Sequence, residues 1–215
     1  MKEHPILFSS PMVKAIIEGR KTQTRRVIKP QPYGVLGKVR LRGKGVRGFF
    51  SDLAEFCPYG APGDRLWVRE TFCHKVDQIT AKISETEFWY RATNPEVIKV
   101  DGDGAWEFRK DGNESSPWKP SIHMPRKASR ITLEIIGVRV QRLQEITEED
   151  ARAEGVTPTI GQINCERLWS ECRPDLPKIT AVQQAFSELW DSINAKRGFG
   201  WDSNPWVWCL TFKRI

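Results

Sequence analysis

The segment SRITLEIIGVRVQRL, residues 129–143, alternates apolar and polar side chains over the length of one long strand or a bent pair. Four other runs share its β-favouring character: TQTRRVI (22–28), RLWVRETF (65–72), TEFWYRAT (86–93) and VWCLTFKRI (207–215). Only short helical patterns stand between them, and no strand–helix–strand crossover recurs. The chain is therefore predicted to be α+β, a small mixed β-barrel with flanking helices and loop insertions, in preference to a doubly wound sheet. With 215 residues, ten Phe and nine Trp it can bury a substantial core, and no linker marks a second one. One domain over 1–215 is expected, with insertions near 33–60, 94–127 and 156–181.

The helical patterns fix where the polar residues fall. SSPMVKAIIEGRK offers Ser9 or Ser10 as N-cap and Pro11 in the first turn. Val13, Ile16 and Ile17 share a face, and Gly19 is the stop. Lys21 and Thr24 then sit at a helix-to-strand junction, with Thr22, Thr24 and Arg26 on one side of the strand. TEEDARAEG sets Thr147 three residues before Asp150, a capping-box spacing with Asp where Glu or Gln is usual; a short helix ends near Glu154 and Gly155. TAVQQAFSELWDSIN spaces Val182, Ala185, Phe186, Leu189, Trp190 and Ile193 along one stripe. Leu66, Val68 and Glu70 share a strand face, so Glu70 requires a partner: Arg26 or Arg69 if it is structural, a ligand if it belongs to a site.

The 34 Lys and Arg against 27 Asp and Glu leave a formal charge of +7, which favours an anionic partner such as nucleic acid. Arg20, Arg25, Arg26 and Lys29 are the candidate phosphate contacts, reinforced by Lys38, Arg40, Arg42, Lys44 and Arg47 in a basic hairpin or loop. Trp67, Trp89, Trp118 and Trp206 offer faces on which a base could stack, although most Trp residues of such a chain belong to the core. PSIHMPRKASR combines Ser121, His123, Arg126 and Lys127 in a constrained loop that either lines a mouth or buries a backbone-bonded His. Apolar runs are too short and too interrupted by charge to span a bilayer. Five Cys without the spacing of a secreted scaffold suit a reducing cytoplasm. Cys165-x6-Cys172 and Cys73-His74 lack structural-zinc spacing, so neither metal nor cofactor is expected.

Taken together, EGRKTQTRR, PGDRLWVRETF, WKPSIHMPRKASRITLEI, ITEEDARAEGV and LWDSINAKRGFGWDSNPWVWCLTF resemble the larger phage- and prophage-type members of the ASCH family. The resemblance covers nearly the whole chain and implies a PUA-like β-barrel that binds RNA, ahead of DNA, or a modified nucleobase. A small bacterial branch similar to that family hydrolyses N4-acetylcytidine with a Lys, a Thr and a Glu. Carried over, these fall on Lys21, Thr24 and Glu154, and the long insertions are departures from that shorter branch. The resemblance implies Lys21 as base, Thr24 as nucleophile or water-orienting group, and Glu154 as acid toward the leaving amine. Arg20, Arg25, Arg26, Trp67, Glu70, Ser121, His123 and Arg126 would contact base or nucleic acid. A non-catalytic reader and a ribonuclease are the competing expectations. The residues alone also admit an exposed Lys21, a strand-forming Thr24 and a Glu154 that merely offsets neighbouring cations.

Overall fold

The computed structural model describes residues 1–32, 38–40, 47–49, 54–76, 83–94, 118–164, 166 and 179–215. In chain order the strands are β1 (Glu3–Leu7), β2 (Gln23–Val27), β3 (Lys38–Arg40), β4 (Arg47–Phe49), β5 (Arg65–Arg69), β6 (Phe72–Val76), β7 (Ile83–Tyr90), β8 (Thr132–Arg142) and β9 (Trp206–Arg214). Among them stand the helices α1 (Ser10–Ile17), α2 (Glu148–Ala153) and α3 (Ala181–Asn194). The fold is α+β. Five strands form one sheet in the order β1-β5-β8-β9-β2, β1 parallel to β5 and the others antiparallel. β3 pairs with β4 and β6 with β7 as separate antiparallel ribbons. Most of the three expected insertions, with Cys165, Cys172 and Arg42 and Lys44 of the basic segment, lies outside the described residues.

β9 organises the core because both its faces are covered. Trp208, Leu210 and Phe212 point to one side, where they join Ile6, Phe8, Val13, Ile16, Leu66, Val68, Leu133 and Ile135 under α1. Val207 and Cys209 point to the other and meet Leu143, Ile146, Ala151, Val182, Phe186 and Trp190 from the α2 and α3 side. Thr180 caps α3 through a reciprocal bond with Gln183, which fixes where that helix begins. The hairpin β6–β7 has its own small cluster of Phe72, Phe88, Met124 and Ala128.

Two strands lie outside the expected set. β1 carries Pro5 and mostly exposed side chains, a composition that suits an edge strand, and β6 follows β5 after only Glu70 and Thr71. Within the long run at 129–143 there is one strand, β8, bent where its register with β9 shifts between Ile135 and Gly137. Leu66, Val68 and Glu70 are all buried. The partner of Glu70 is neither Arg26 nor Arg69 but Arg130, whose Nε and Nη2 donate to the carboxylate at 3.0 and 3.1 Å while its guanidinium covers Tyr90. Arg130 stands two residues before β8, which pairs with β5, and this brings it to Glu70; Arg26 instead donates to the Leu7 main-chain oxygen.

Candidate functional site

β2 is an edge strand, and the site grows from it. The chain leaves α1 through Gly19 in a left-handed conformation, φ +75°, after which Lys21 bridges across to Glu154, the C-cap of α2. Gly155 is what lets the two segments meet. Its φ is +83°, and a Cβ there would stand 2.9 Å from the Lys21 Cβ and 3.0 Å from the Ala15 Cβ. Thr147 caps α2 by accepting the Asp150 N–H, as the spacing suggests. The Asp150 carboxylate does not close the capping box. It takes a different partner.

That partner is a buried charge network. Lys21 Nζ donates to Glu154 Oε2 at 2.7 Å and to the Glu154 main-chain oxygen at 2.8 Å. Arg25 Nη1 donates to Glu154 Oε1 at 3.2 Å and to Gln23 Oε1 at 2.6 Å, and its Nη2 donates to Asp150 Oδ2 at 2.7 Å. Gln23 and Arg139 complete the shell around Asp150. Lys21, Thr24, Arg25 and Glu154 are between 2% and 5% exposed, so the Glu154 carboxylate is stabilised by bonded cations and not by water. Burial pushes the Lys21 ammonium below its ordinary pKa, and the attraction of Glu154 only partly offsets this. Against its own partial burial, the Gln23 hydrogen bond and the Arg25 and Arg139 guanidiniums hold the Asp150 carboxyl below its usual value.

Beside this network lies a cleft of about 280 Å³. Thr24, Arg25, Arg26, Val27 and Glu154 line it from β2 and α2, Phe186, Leu189, Trp190 and Ile193 from α3, and Met12 and Tyr59 from the other side. Thr24 and Arg26 belong to one face of β2 and Arg25 and Val27 to the other, so the cleft runs along the open edge of the strand. Its walls are aromatic and aliphatic, and Thr24 and Glu154 are among its polar lining residues. Lys21 is not among the lining residues; it stands behind Glu154.

The other expected residues separate into distinct places. Arg26 lines the cleft, donates to the Leu7 main-chain oxygen and lies over Phe8. Arg20 is exposed and held by Glu18 and the Gly155 carbonyl. Trp67 is flanked by the guanidiniums of Arg69 and Arg126, and Arg126 pairs with Glu3. Ser121 and His123 form a short 3-10 turn that Arg69 joins through the Ile122 carbonyl. Trp67, Glu70, Ser121, His123 and Arg126 do not line the cleft. Among the described residues no three His, Cys, Asp or Glu side chains gather as a metal site would require, and no helix is long and apolar enough to cross a membrane.

Sequence reasoning missed Asp150 and Arg139 as network members and Tyr59, Asn194 and Arg197 as cleft residues. The signal for Asp150 was present: an acid too short for its capping-box position. No protein-family model, no curated protein and no solved structure matches this chain.

Proposed function

We propose that the cleft beside β2 binds a modified pyrimidine base and hydrolyses an N4-acyl amide on it, in a PUA-like β-barrel of the ASCH type. The observation that carries this reading is the buried Lys21–Glu154 pair, 2.7 Å apart, with Glu154 and Thr24 lining one small cleft. A flat heteroaromatic ring suits walls formed by Phe186, Trp190 and Tyr59. The open edge of β2 adds main-chain N–H and C=O groups, which the polar edge of a base can pair.

The chemistry follows from the pair. As the Thr24 oxygen attacks the acyl carbon, the Lys21–Glu154 pair takes its proton, a role that a lysine held below its ordinary pKa by burial can fill. The carbon–nitrogen bond then breaks, and the pair returns the proton to the exocyclic nitrogen, so cytidine leaves as the neutral amine. Water attacks the acyl-Thr24 ester with one proton passing to the same pair, the bond from the acyl carbon to the Thr24 oxygen breaks, the pair returns that proton to the Thr24 oxygen, and the carboxylic acid departs. General acid–base help of this kind contributes about 10²–10⁴-fold in rate.

A reader that binds the modified base without turnover is the second reading. It is favoured by one observation: Lys21 Nζ is already occupied by two oxygens of Glu154 and lies behind the cleft lining. Incubation with N4-acetylcytidine, followed by chromatography for cytidine, separates the two. Turnover that survives at a reduced level in Thr24→Ser and is lost in Lys21→Ala supports the hydrolase. Saturable binding without product supports the reader, and neither binding nor product refutes both.

A further inference from the structure

The charges that line the cleft are unequal. Arg25, Arg26, Lys29 and Arg197 stand against the single carboxylate of Glu154, and that carboxylate is taken by Lys21 and Arg25 on the floor. Lys29 and Arg197 are both exposed, so they mark the mouth. Among the described residues neither has an acidic partner within ion-pair distance, whereas Arg20, Arg25 and Arg139 nearby are all matched.

Their placement is built into the fold. After α3 the chain turns through Gly198 at φ +79°, and the turn is tied back to the helix. Trp190 Nε1 donates to the Phe199 carbonyl at 2.7 Å, the Phe199 N–H to the Asn194 carbonyl at 3.2 Å, and the Trp201 N–H to Asp191 Oδ1 at 2.6 Å. The Phe199 ring held in this way lies under the Lys29 ammonium, 4.9 Å from its centroid. One pinned turn thus presents Arg197 and seats Lys29. Among the described residues, Nε of the cleft-lining Arg26 is a buried donor with no hydrogen-bond partner.

We propose that Lys29 and Arg197 form a phosphate-binding mouth, so that the ligand of this cleft is a nucleoside phosphate and not a free nucleoside. The inference rests on the reading of the cleft as a base site, and it names the part of the ligand that remains outside. With the base between the aromatic walls, a sugar phosphate reaches the mouth, where two cations with no acidic partner among the described residues donate charge-assisted bonds to it. A neutral nucleoside leaves that charge to solvent. The same chemistry arises from a free mononucleotide or from one residue of an RNA strand.

The test compares N4-acetylcytidine, its 5′-monophosphate and a tetranucleotide containing N4-acetylcytidine on the full chain. Affinity is read as Kd, or as kcat/KM where the probe turns over. The expected result is that the monophosphate is preferred over the nucleoside by about tenfold at low salt, and that the preference shrinks as salt screens the mouth. Arg197→Gln and Lys29→Gln, both on exposed side chains, remove most of that preference, weakening the monophosphate more than the nucleoside. Arg197→Glu inverts it. A tetranucleotide preferred well beyond the monophosphate identifies a strand as the source, and equal affinities identify the free nucleotide. Equal affinity for nucleoside and monophosphate, or equal losses for both in Arg197→Gln, overturns the phosphate mouth while the base site stands. Failure of all three probes to bind removes the base site and the mouth with it.

Discussion

Replacing Lys21 with Met removes a charge from a place where its partner cannot be rehydrated. Glu154 is 5% exposed and would keep Arg25 at 3.2 Å as its remaining cation. Breaking a buried pair from one side costs about 3–5 kcal/mol, and the surviving Arg25 contact places this case near the lower end. The variant also loses the bond from Nζ to the Glu154 main-chain oxygen, 2.8 Å long. Glu154→Gln retains that bond and cancels only the carboxylate, so the double-mutant cycle Lys21→Met with Glu154→Gln isolates the side-chain pair. Urea unfolding followed by circular dichroism should give a loss of about 3 kcal/mol for Lys21→Met, a shift in Tm of roughly 6–12 °C for a chain of this size. The coupling energy should exceed about 1.5 kcal/mol, because the double variant no longer buries a carboxylate short of a cation. Additive losses, with coupling under about 0.5 kcal/mol, would refute a direct pair.

Three further outcomes are expected. Gly155→Ala should destabilise by about 2 kcal/mol or more, through strain at φ +83° and the collision with Lys21 and Ala15, and chemical denaturation reads it. Asp150 has a folded pKa below its unfolded one, so its contribution is complete above the unfolded value and is lost as pH falls through the folded value. Asp150→Asn should therefore be less stable than wild type at pH 7, with the gap closing toward about pH 2, as thermal melts across pH will show. Trp190→Ala, which removes both a cleft wall and the bond to Phe199, should cost about 3–5 kcal/mol and weaken ligand binding in parallel. Undiminished binding by a folded Trp190→Ala protein would contradict its place in the cleft.

Periodicity made the strands around β5, β8 and β9 legible because their alternation is the direct imprint of a buried face. At β8 the sequence left one long strand or a bent pair open; the apolar parity of Ile131, Leu133 and Ile135 passes to Val138 and Val140 across Gly137, where the single strand is irregular. β1 was hidden because an edge strand with Pro5 has little reason to alternate. At the site, Lys21 and Glu154 are separated by 133 residues, and spacing alone offered no reason to pair them; the family resemblance supplied it. The cleft wall was partly visible in α3, whose six apolar positions form a stripe wider than one buried face uses. Val182 is buried away from the cleft, Phe186 and Trp190 are buried and also line it, and Leu189 and Ile193 line it from less buried positions. Lys29 was named from the sequence as a candidate phosphate contact, but Arg197 was not, and their convergence could not be read because it depends on the turn that carries Phe199.

The most direct measurement is the release of acetate from N4-acetylcytidine by the wild type and by Thr24→Val, which keeps the side-chain shape and deletes only the hydroxyl. The hydrolase reading expects acetate in stoichiometric yield with cytidine from the wild type, rising with pH on a limb below the ordinary lysine pKa because Lys21 must lose its proton. It expects no release above background from a Thr24→Val protein that melts near the wild-type temperature. A wild type that binds the nucleoside and releases no acetate, or a Thr24→Val variant that releases it at the wild-type rate, would contradict the assignment of Thr24 and the Lys21–Glu154 pair as a catalytic unit.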